Sequence, residues 1–360
     1  MVAEAVVTPE VRAMVGKQSE PETGPDEVCK SEIRRWVQAT MDGNPLWYDE
    51  QYAQSTKFGL DYAPAPLILS AAGFYKRPLG TPDAIGKEVN EDLRPDVSAE
   101  NAIRIPWPAD MVQFHGSDEV EFYQLPRIGD TITVIDKVVD VAEKTGRSSK
   151  LELSYVDRVY TNQRGEVLAI THHVNIARER HGQAVSGQIS NKEQPGGLDS
   201  WRGKTVAPKN SCYDGIAVGD ELPEVEQLVT IPVMQRWCSV TENLRRDHYD
   251  SKHAVEHDGL PGAVLSGLFS QAYLWAILFN WVGPDGWVFK IYQKNAAGVQ
   301  PGDVLTFIGR VTNKEVKNGL GYLELNIGLR KQDGSVPIPG TATVVLPLTN
   351  GRPVPHPFKP

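Results

Sequence analysis

One order of events occurs twice along this chain. In the first half SEIRRWVQAT opens a helix, MDGNPLWYDEQYA follows as a polar loop, YAPAPLILSAAGF is an apolar, proline-rich passage, and DTITVIDKVVDV and KLELSYVDRVYT read as strands. In the second half TIPVMQRWCSVT, ENLRRDHYDSKHA, HDGLPGAVLSGLFSQAYLWAILFNWV, GDVLTFIGRVTNK and GYLELNIGLRKQDG repeat that order. Such a repeat predicts two copies of one supersecondary unit: a polar loop carrying a Tyr-Asp pair, a central apolar helix, then long segments of alternating Val, Ile, Thr and Leu. A helix that is apolar on every face is satisfied only if a sheet curls around it. The expected class is therefore α+β, with two modules, each a central helix wrapped by an antiparallel sheet, and the two sheets paired into one layer. Gly129-Asp130 and Gly302-Asp303 place matching turns ahead of matching strands.

Between the copies, residues 182–217 lose apolar periodicity and turn rich in Gly, Ser, Asn, Gln and Pro, the composition of a linker. The expected organisation is a flexible lead-in over 1–30, a first module over 31–181, the linker, a second module over 218–350 and a tail over 351–360. The lead-in has no basic stretch followed by an apolar one, so no export signal is expected. Residues 263–282 are apolar enough to suggest a membrane span, but Ser266, Ser270, Gln271 and Asn280 interrupt them and Gly and Pro bound them. They read as a buried core helix, and no membrane association is expected.

A net charge of −9 disfavours a nucleic-acid partner, which needs a basic surface. Cys29, Cys212 and Cys238 have no metal-site or disulfide spacing, which fits a reducing cytoplasm. His115 and the pair His172 and His173 stand alone on or beside strands and read as packed or solvated rather than as metal ligands, so no metal is expected. No glycine-rich phosphate loop is present, so no nucleotide cofactor is indicated.

The segments DGNPLWYDEQYA, FHGSDEVEFYQLPRIGDTI and YTNQRGEVLA in the first half, with HYDSKHA, GLPGAVLSGL, WVGPDG and VQPGDVLTFIGRVTNK in the second, are similar to one known group. On them the chain resembles the MaoC-like dehydratases and R-specific enoyl-CoA hydratases, in the two-module form whose first module is of the fatty-acid-synthase dehydratase type. The resemblance implies a double hot-dog fold and reversible hydration of a 2-enoyl-CoA to a 3-hydroxyacyl-CoA, with coenzyme A entering as part of the substrate and no separate cofactor. It also implies a homodimer or a heteromer with a related subunit, and a bulky, branched or aromatic acyl group. An acyl-CoA thioesterase and a non-catalytic acyl-thioester-binding subunit stay open as alternatives.

The family pattern is an Asp, then Asn-Pro-x-His beginning two residues later, then an Asp two positions past the His. Neither half keeps it whole. The first has Asp42, Asn44 and Pro45, but Trp47 stands where the His belongs, and an indole cannot cycle protons. Asp42 and Trp47 are therefore expected to shape or fill space for the acyl group. The second half keeps His248 and Asp250, but Asn243 replaces the first Asp, and Arg245 and Arg246 replace Asn-Pro. His248 is the expected general acid/base, with Asn243 orienting water and Glu242 or Asp247 as candidate substitutes for the carboxylate. The backbone at Gly267 is expected to polarise the thioester, with Ser266 facing the site. Asp250 can serve the site or cap a helix. Arg245, Arg246, Lys290 and Lys294 can meet coenzyme A phosphates or form a solvated face. Phe269, Tyr273 and Trp275 can line an acyl pocket or pack the core.

Overall fold

The structure, a computed structural model, describes residues 7–72, 103, 105–108, 111–145, 150–179 and 211–360. In the first half a short helix α1 (Pro9–Arg12) and strand β1 (Glu22–Glu27) lead into α2 (Lys30–Thr40) and α3 (Glu50–Gln54). Strands β2 (Met111–Phe122), β3 (Thr131–Thr145), β4 (Lys150–Asn162) and β5 (Val167–Glu179) follow. The second half repeats the plan with β6 (Val225–Leu228), α4 (Ile231–Thr241), α5 (Ser251–Glu256) and α6 (Gly267–Val282). Strands β7 (Trp287–Lys294), β8 (Val304–Lys317), β9 (Leu320–Lys331) and β10 (Ile338–Leu346) complete it.

Among the described residues all strands belong to one ten-stranded sheet in the order β1-β3-β4-β5-β2-β7-β10-β9-β8-β6. Counted outward from the middle, the two halves have the same strand order, so β2 and β7 are equivalent strands meeting across a pseudo-twofold axis. They pair antiparallel from Ser117 opposite Lys294 to Glu121 opposite Lys290. Lys290 bridges Glu119 at 3.0 Å and Glu121 at 2.8 Å across this seam, so it belongs to a paired surface rather than to a phosphate site. The Trp287 indole donates to the Phe122 carbonyl at 2.7 Å, tying the halves together inside the core. Gly129 and Gly302 hold positive φ, and the Asp after each accepts from the backbone N–H three residues earlier, so the paired turns are alike.

Helix α6 is buried along its whole length from Leu268 to Val282, as an apolar segment interrupted by only a few polar residues requires. Among the described residues no helix is long and apolar enough to cross a membrane. The first half places a 3-10 helix, Ala65–Ser70, at the corresponding point, with all six residues buried; residues 73–102, which follow it, lie outside the described ones. Helices α2 and α4 pack against each other through Trp36 and Trp237, whose rings meet edge to face at 4.8 Å.

Three expected boundaries change. The lead-in from Val7 on is built in: β1 pairs with β3, and Val7 and Val11 form a small satellite core with Val138 and Val141. The end of the expected linker is also part of the second half, because Ser211 donates to the Trp281 carbonyl and Tyr213 is buried against it. Residues 182–210, the rest of that linker, lie outside the described ones. The tail is a strap across the seam: Val354 bonds to Asp285 of the second half, and Phe358 bonds to Tyr123 of the first. Both side chains are buried. Isolated apolar residues among prolines have no periodicity, so the sequence could not show this role.

His356 lies between these two anchors and accepts the Leu125 N–H at its Nε2, 2.9 Å away, which only a neutral ring can do. Burial, with Lys57 and Arg127 nearby, pushes its pKa down to about 3. The unfolded chain binds this proton below a pKa of about 6.5 and the folded chain does not, so stability should fall as pH drops from about 6.5 toward 3. Acid denaturation curves for His356→Gln should lose part of that dependence. Phe358→Ala should cost about 3 kcal/mol in urea unfolding, the range for truncating a fully buried ring.

Candidate active site

The two polar loops fold alike. Helix α2 ends at Met41 and α4 at Glu242, both left-handed with φ of 53° and 55°. A single turn of 3-10 helix follows in each, Pro45–Trp47 and Arg246–His248. Asp49 then caps α3 by accepting from Tyr52 N–H at 2.9 Å, and Asp250 caps α5 by accepting from His253 N–H at 3.0 Å. Tyr48 and Tyr249 each donate a hydroxyl back to the loop, to Gly43 and Leu244. Asp42 is therefore the counterpart of Asn243, and Trp47 of His248.

The first loop is closed. The Trp47 indole donates to Asp42 Oδ2 at 2.7 Å, while Asn280 near the far end of α6 donates to Asp42 Oδ1 at 3.0 Å. Burial pushes the Asp42 carboxyl above the usual range, against the hydrogen bonds it receives. Trp47 stacks on Phe279 at 5.9 Å and lies 6.4 Å from Trp275. The indole N–H ties Trp47 to the loop's own carboxylate, while the ring joins the aromatic core.

The second loop opens onto a cavity of about 340 Å³, large enough for an acyl chain. Asn243, Arg245, Asp247 and His248 line one side, and Val264 to Gly267 with Ser270 line another at the amino end of α6. His248 donates from Nδ1 to the Val264 carbonyl at 2.8 Å, which fixes the tautomer and makes Nε2 the acceptor nitrogen of the neutral ring. Asp247 is gripped by the Arg245 guanidinium through bonds of 3.2 and 3.0 Å, and its Oδ1 stands 3.9 Å from His248 Nε2. The Asn243 Oδ1 is buried with no partner among the described residues. Ser266 precedes α6 without capping it by its side chain. The N–H groups of Gly267 and Leu268 have no acceptor among the described residues, so the helix directs two donors and its positive end at the cavity.

Of the expected site residues, Asn243, Arg245, Asp247, His248, Ser266 and Gly267 meet at this cavity. Glu242 is exposed at the helix end and does not line it. Asp250 serves as a cap and pairs with Arg246 at 2.5 Å, so neither lines the cavity. Asp42 and Trp47 sit at the opposite end of α6, about 20 Å from Gly267 at 1.5 Å per residue over the thirteen residues to Asn280. Phe269, Tyr273 and Trp275 are buried core residues, not cavity walls.

The other wall comes from the first half and was not legible in the sequence. His115, on β2, and His173, on β5, both line the cavity and flank the buried Asp118. His115 Nε2 lies 2.6 Å from Asp118 Oδ2, and His173 Nδ1 lies 2.5 Å from Asp118 Oδ1. His173 Nε2 meets the Asn175 amide at 2.8 Å. Burial opposes the charge on Asp118, but the two imidazoles outweigh it and hold the carboxyl well below its usual range. Burial lowers the pKa of His173 despite that carboxylate. His172, the neighbour of His173, points the other way and pairs with Asp157 near the surface. Residues three apart on a regular strand face opposite sides. A bulge at Gly116 supplies the extra residue that turns His115 and Asp118 the same way. A Cβ there would stand 2.8 Å from the Val174 carbonyl and the Ile176 side chain, so the bulge requires glycine.

Comparisons with known proteins agree with this architecture. Residues 13–171 match the model of the FAS1-like dehydratase domain region. A probable enoyl-CoA hydratase alpha subunit of Thermomonospora curvata is 29% identical over 163 residues, covering 44% of this chain and 48% of that protein. The match thus spans about half the length of that relative. A MaoC-like dehydratase structure superposes with a TM-score of 0.67 at 17% identity, covering 94% of this chain and 99% of the other. The MaoC-like dehydratase of Phytophthora capsici gives 0.58 at 13% identity, over 96% of this chain and 100% of that one. A Mycobacterium tuberculosis protein described as having a double hotdog fold gives 0.54 at 12% identity, over 95% and 98% of the two chains. With the duplicated loop and the ten-stranded sheet, these matches give the chain a double hot-dog fold, with its first half similar to the FAS1-like dehydratase region.

Proposed function

We propose that the cavity hydrates the double bond of a 2-enoyl-CoA to give a 3-hydroxyacyl-CoA, and runs the reverse dehydration. The observation that carries this reading is the convergence, in one cavity, of a tautomer-fixed His248 with the donor end of α6. A water held by Asn243 Oδ1 and His248 Nε2 loses a proton to Nε2 as its oxygen bonds to carbon 3. Charge moves to the thioester oxygen, where the N–H groups of Gly267 and Leu268 receive it, and the α-carbon then takes a proton. Apolar residues Phe114, Leu260, Val299 and Ile338 on the cavity wall suit a bulky acyl group. Of the two expected assemblies, homodimer and heteromer with a related subunit, the name of the T. curvata relative, an alpha subunit, supports the heteromer. The free cysteines suit a cytoplasmic setting.

Hydrolysis of the thioester is less well served. It calls for a carboxylate or amide aimed at the carbonyl; Asp247 is held by Arg245, Glu242 lies outside the cavity, and the amide that lines it, Asn243, is the group that holds the water in the hydration scheme. A non-catalytic binding subunit would leave His248 without a task. Incubating the protein with crotonyl-CoA and with an aromatic enoyl-CoA separates the three readings. Loss of enoyl absorbance without thiol release is expected; thiol release would mean hydrolysis, and no change would mean the accessory role.

His248→Ala should slow hydration at least about a hundredfold, the lower range for a positioned general acid/base, and cost about 1 kcal/mol of stability for the bond to Val264. Asn243→Asp should be neutral or activating, since it restores a carboxylate beside the histidine. Trp47→His should create no second active site and should lower stability by about 3 kcal/mol, because the ring it removes is packed on Trp275 and Phe279.

A further inference from the structure

Water addition needs two proton transfers, one from the water and one to the α-carbon, and the loop of the second half offers a single imidazole for both. Its Asn243 replaces the carboxylate that would share the work, and its Asp247 is committed to Arg245. The facing wall of the same cavity carries an Asp-backed imidazole from the other half of the chain. His115 Nε2 rests against Asp118, so its Nδ1 is the nitrogen left to face outward. That Nδ1 lies 2.7 Å from where a Cβ on Gly267 would stand. It therefore sits at the first residue of α6, beside the two N–H donors to which the hydratase scheme assigns the thioester oxygen, where the α-carbon of that scheme would lie.

We propose that His115, oriented by Asp118, is the second proton-transfer group of this site, serving the α-carbon while His248 serves the water. This rests on the hydratase reading. In hydration, His248 Nε2 takes a proton from the water as the carbon 3–oxygen bond forms. The π electrons of the double bond move to the α-carbon, which takes the proton from His115 Nδ1. Solvent then returns the proton on His248 to His115, so that the net change is one water added. In dehydration His115 removes the α-proton and His248 protonates the departing hydroxyl. His173 does not meet the reacting atoms in this scheme. It holds the second oxygen of Asp118 and is a positioning residue.

Three features favour a role in chemistry over a packing role. The Asp118 carboxylate is buried and shared between two imidazoles, an arrangement that orients rings and stabilises an imidazolium. The Gly116 bulge exists at the one place that turns His115 toward the cavity. Gly267 removes the side chain that would otherwise occupy the space in front of Nδ1 and the Asn295 amide.

The full chain is first assayed with crotonyl-CoA and an aromatic enoyl-CoA. If the wild type hydrates neither, the hydratase reading falls and this proposal with it. If the wild type hydrates either one, His115→Asn is expected to lower kcat at least about a hundredfold with KM little changed. An Asn amide still hydrogen-bonds where Nδ1 stands but cannot cycle a proton, so the pH–rate profile should lose one limb. The groups around His115 that could shape that limb are Asp118, His173 on β5, Arg158 on β4, and Arg245, Asp247 and His248 across the cavity. Asp118→Asn should give an intermediate loss and a displaced limb. His172→Gln, on the surface-facing side of β5, should leave both kcat and the profile unchanged. His115→Ala leaves room for added imidazole, which should restore part of the rate in a saturable way. A wild-type kcat and pH profile in His115→Asn overturns the proposal, as does a folded His115→Ala protein whose lost rate imidazole leaves untouched.

Discussion

Everything in this molecule is arranged around a helix with no polar face. Helix α6 is buried on all sides, and a single curled half-sheet cannot cover it alone. Helix α2 and the 3-10 helix Ala65–Ser70 of the first half, with Phe122 against Trp275, supply the rest of the cover. Because the helix runs inside both halves, its two ends meet the two equivalent loops. Its amino end reaches the His248 loop, and Asn280 near its carboxyl end reaches Asp42. The polarity of one helix thus separates an open site from a closed one. Donor N–H groups and a positive dipole end favour developing negative charge at the first, and the second has neither.

The closed loop shows how one backbone plan can carry two different sets of side chains. The Asp42 loop keeps its αL residue, its 3-10 turn, its Asp cap and its tyrosine bond, yet where the other loop has an imidazole bonded to the Val264 carbonyl it has an indole bonded to Asp42. The aromatic column of Trp47, Phe279 and Trp275 then becomes part of what anchors α6. The two copies differ in chemistry while their backbone requirements stay the same.

Much of this was legible in the sequence because it rests on local periodicity and on side chains close together along the chain. The repeat, the Gly-Asp turns, the buried central helix of the second half and the grouping of Asn243, Asp247, His248 and Gly267 are all of that kind. What escaped depends on register and on long-range pairing. Glu22–Glu27 has no apolar alternation, yet its backbone pairs with β3. Val354 and Phe358 have no pattern around them, yet they fasten the seam. His115 and His173 looked solitary because fifty-eight positions separate them, and only the antiparallel pairing of β2 with β5, which sets Asp118 opposite His173, brings them together.

The bulge at Gly116 also bears on how such a strand can change over time. A strand's side chains are read in alternation, so adding or removing one residue exchanges inside for outside for everything on one flank. In β2 the shift is confined to a single glycine, with His115 on one side of it and Asp118 on the other. The pairing in this strand is therefore not neutral: the same residues in a regular ladder, with Gly116 paired instead of bulged, would leave the seam intact while moving an imidazole from the cavity to the opposite surface. The composition of the site is set by a count of residues as much as by their identities.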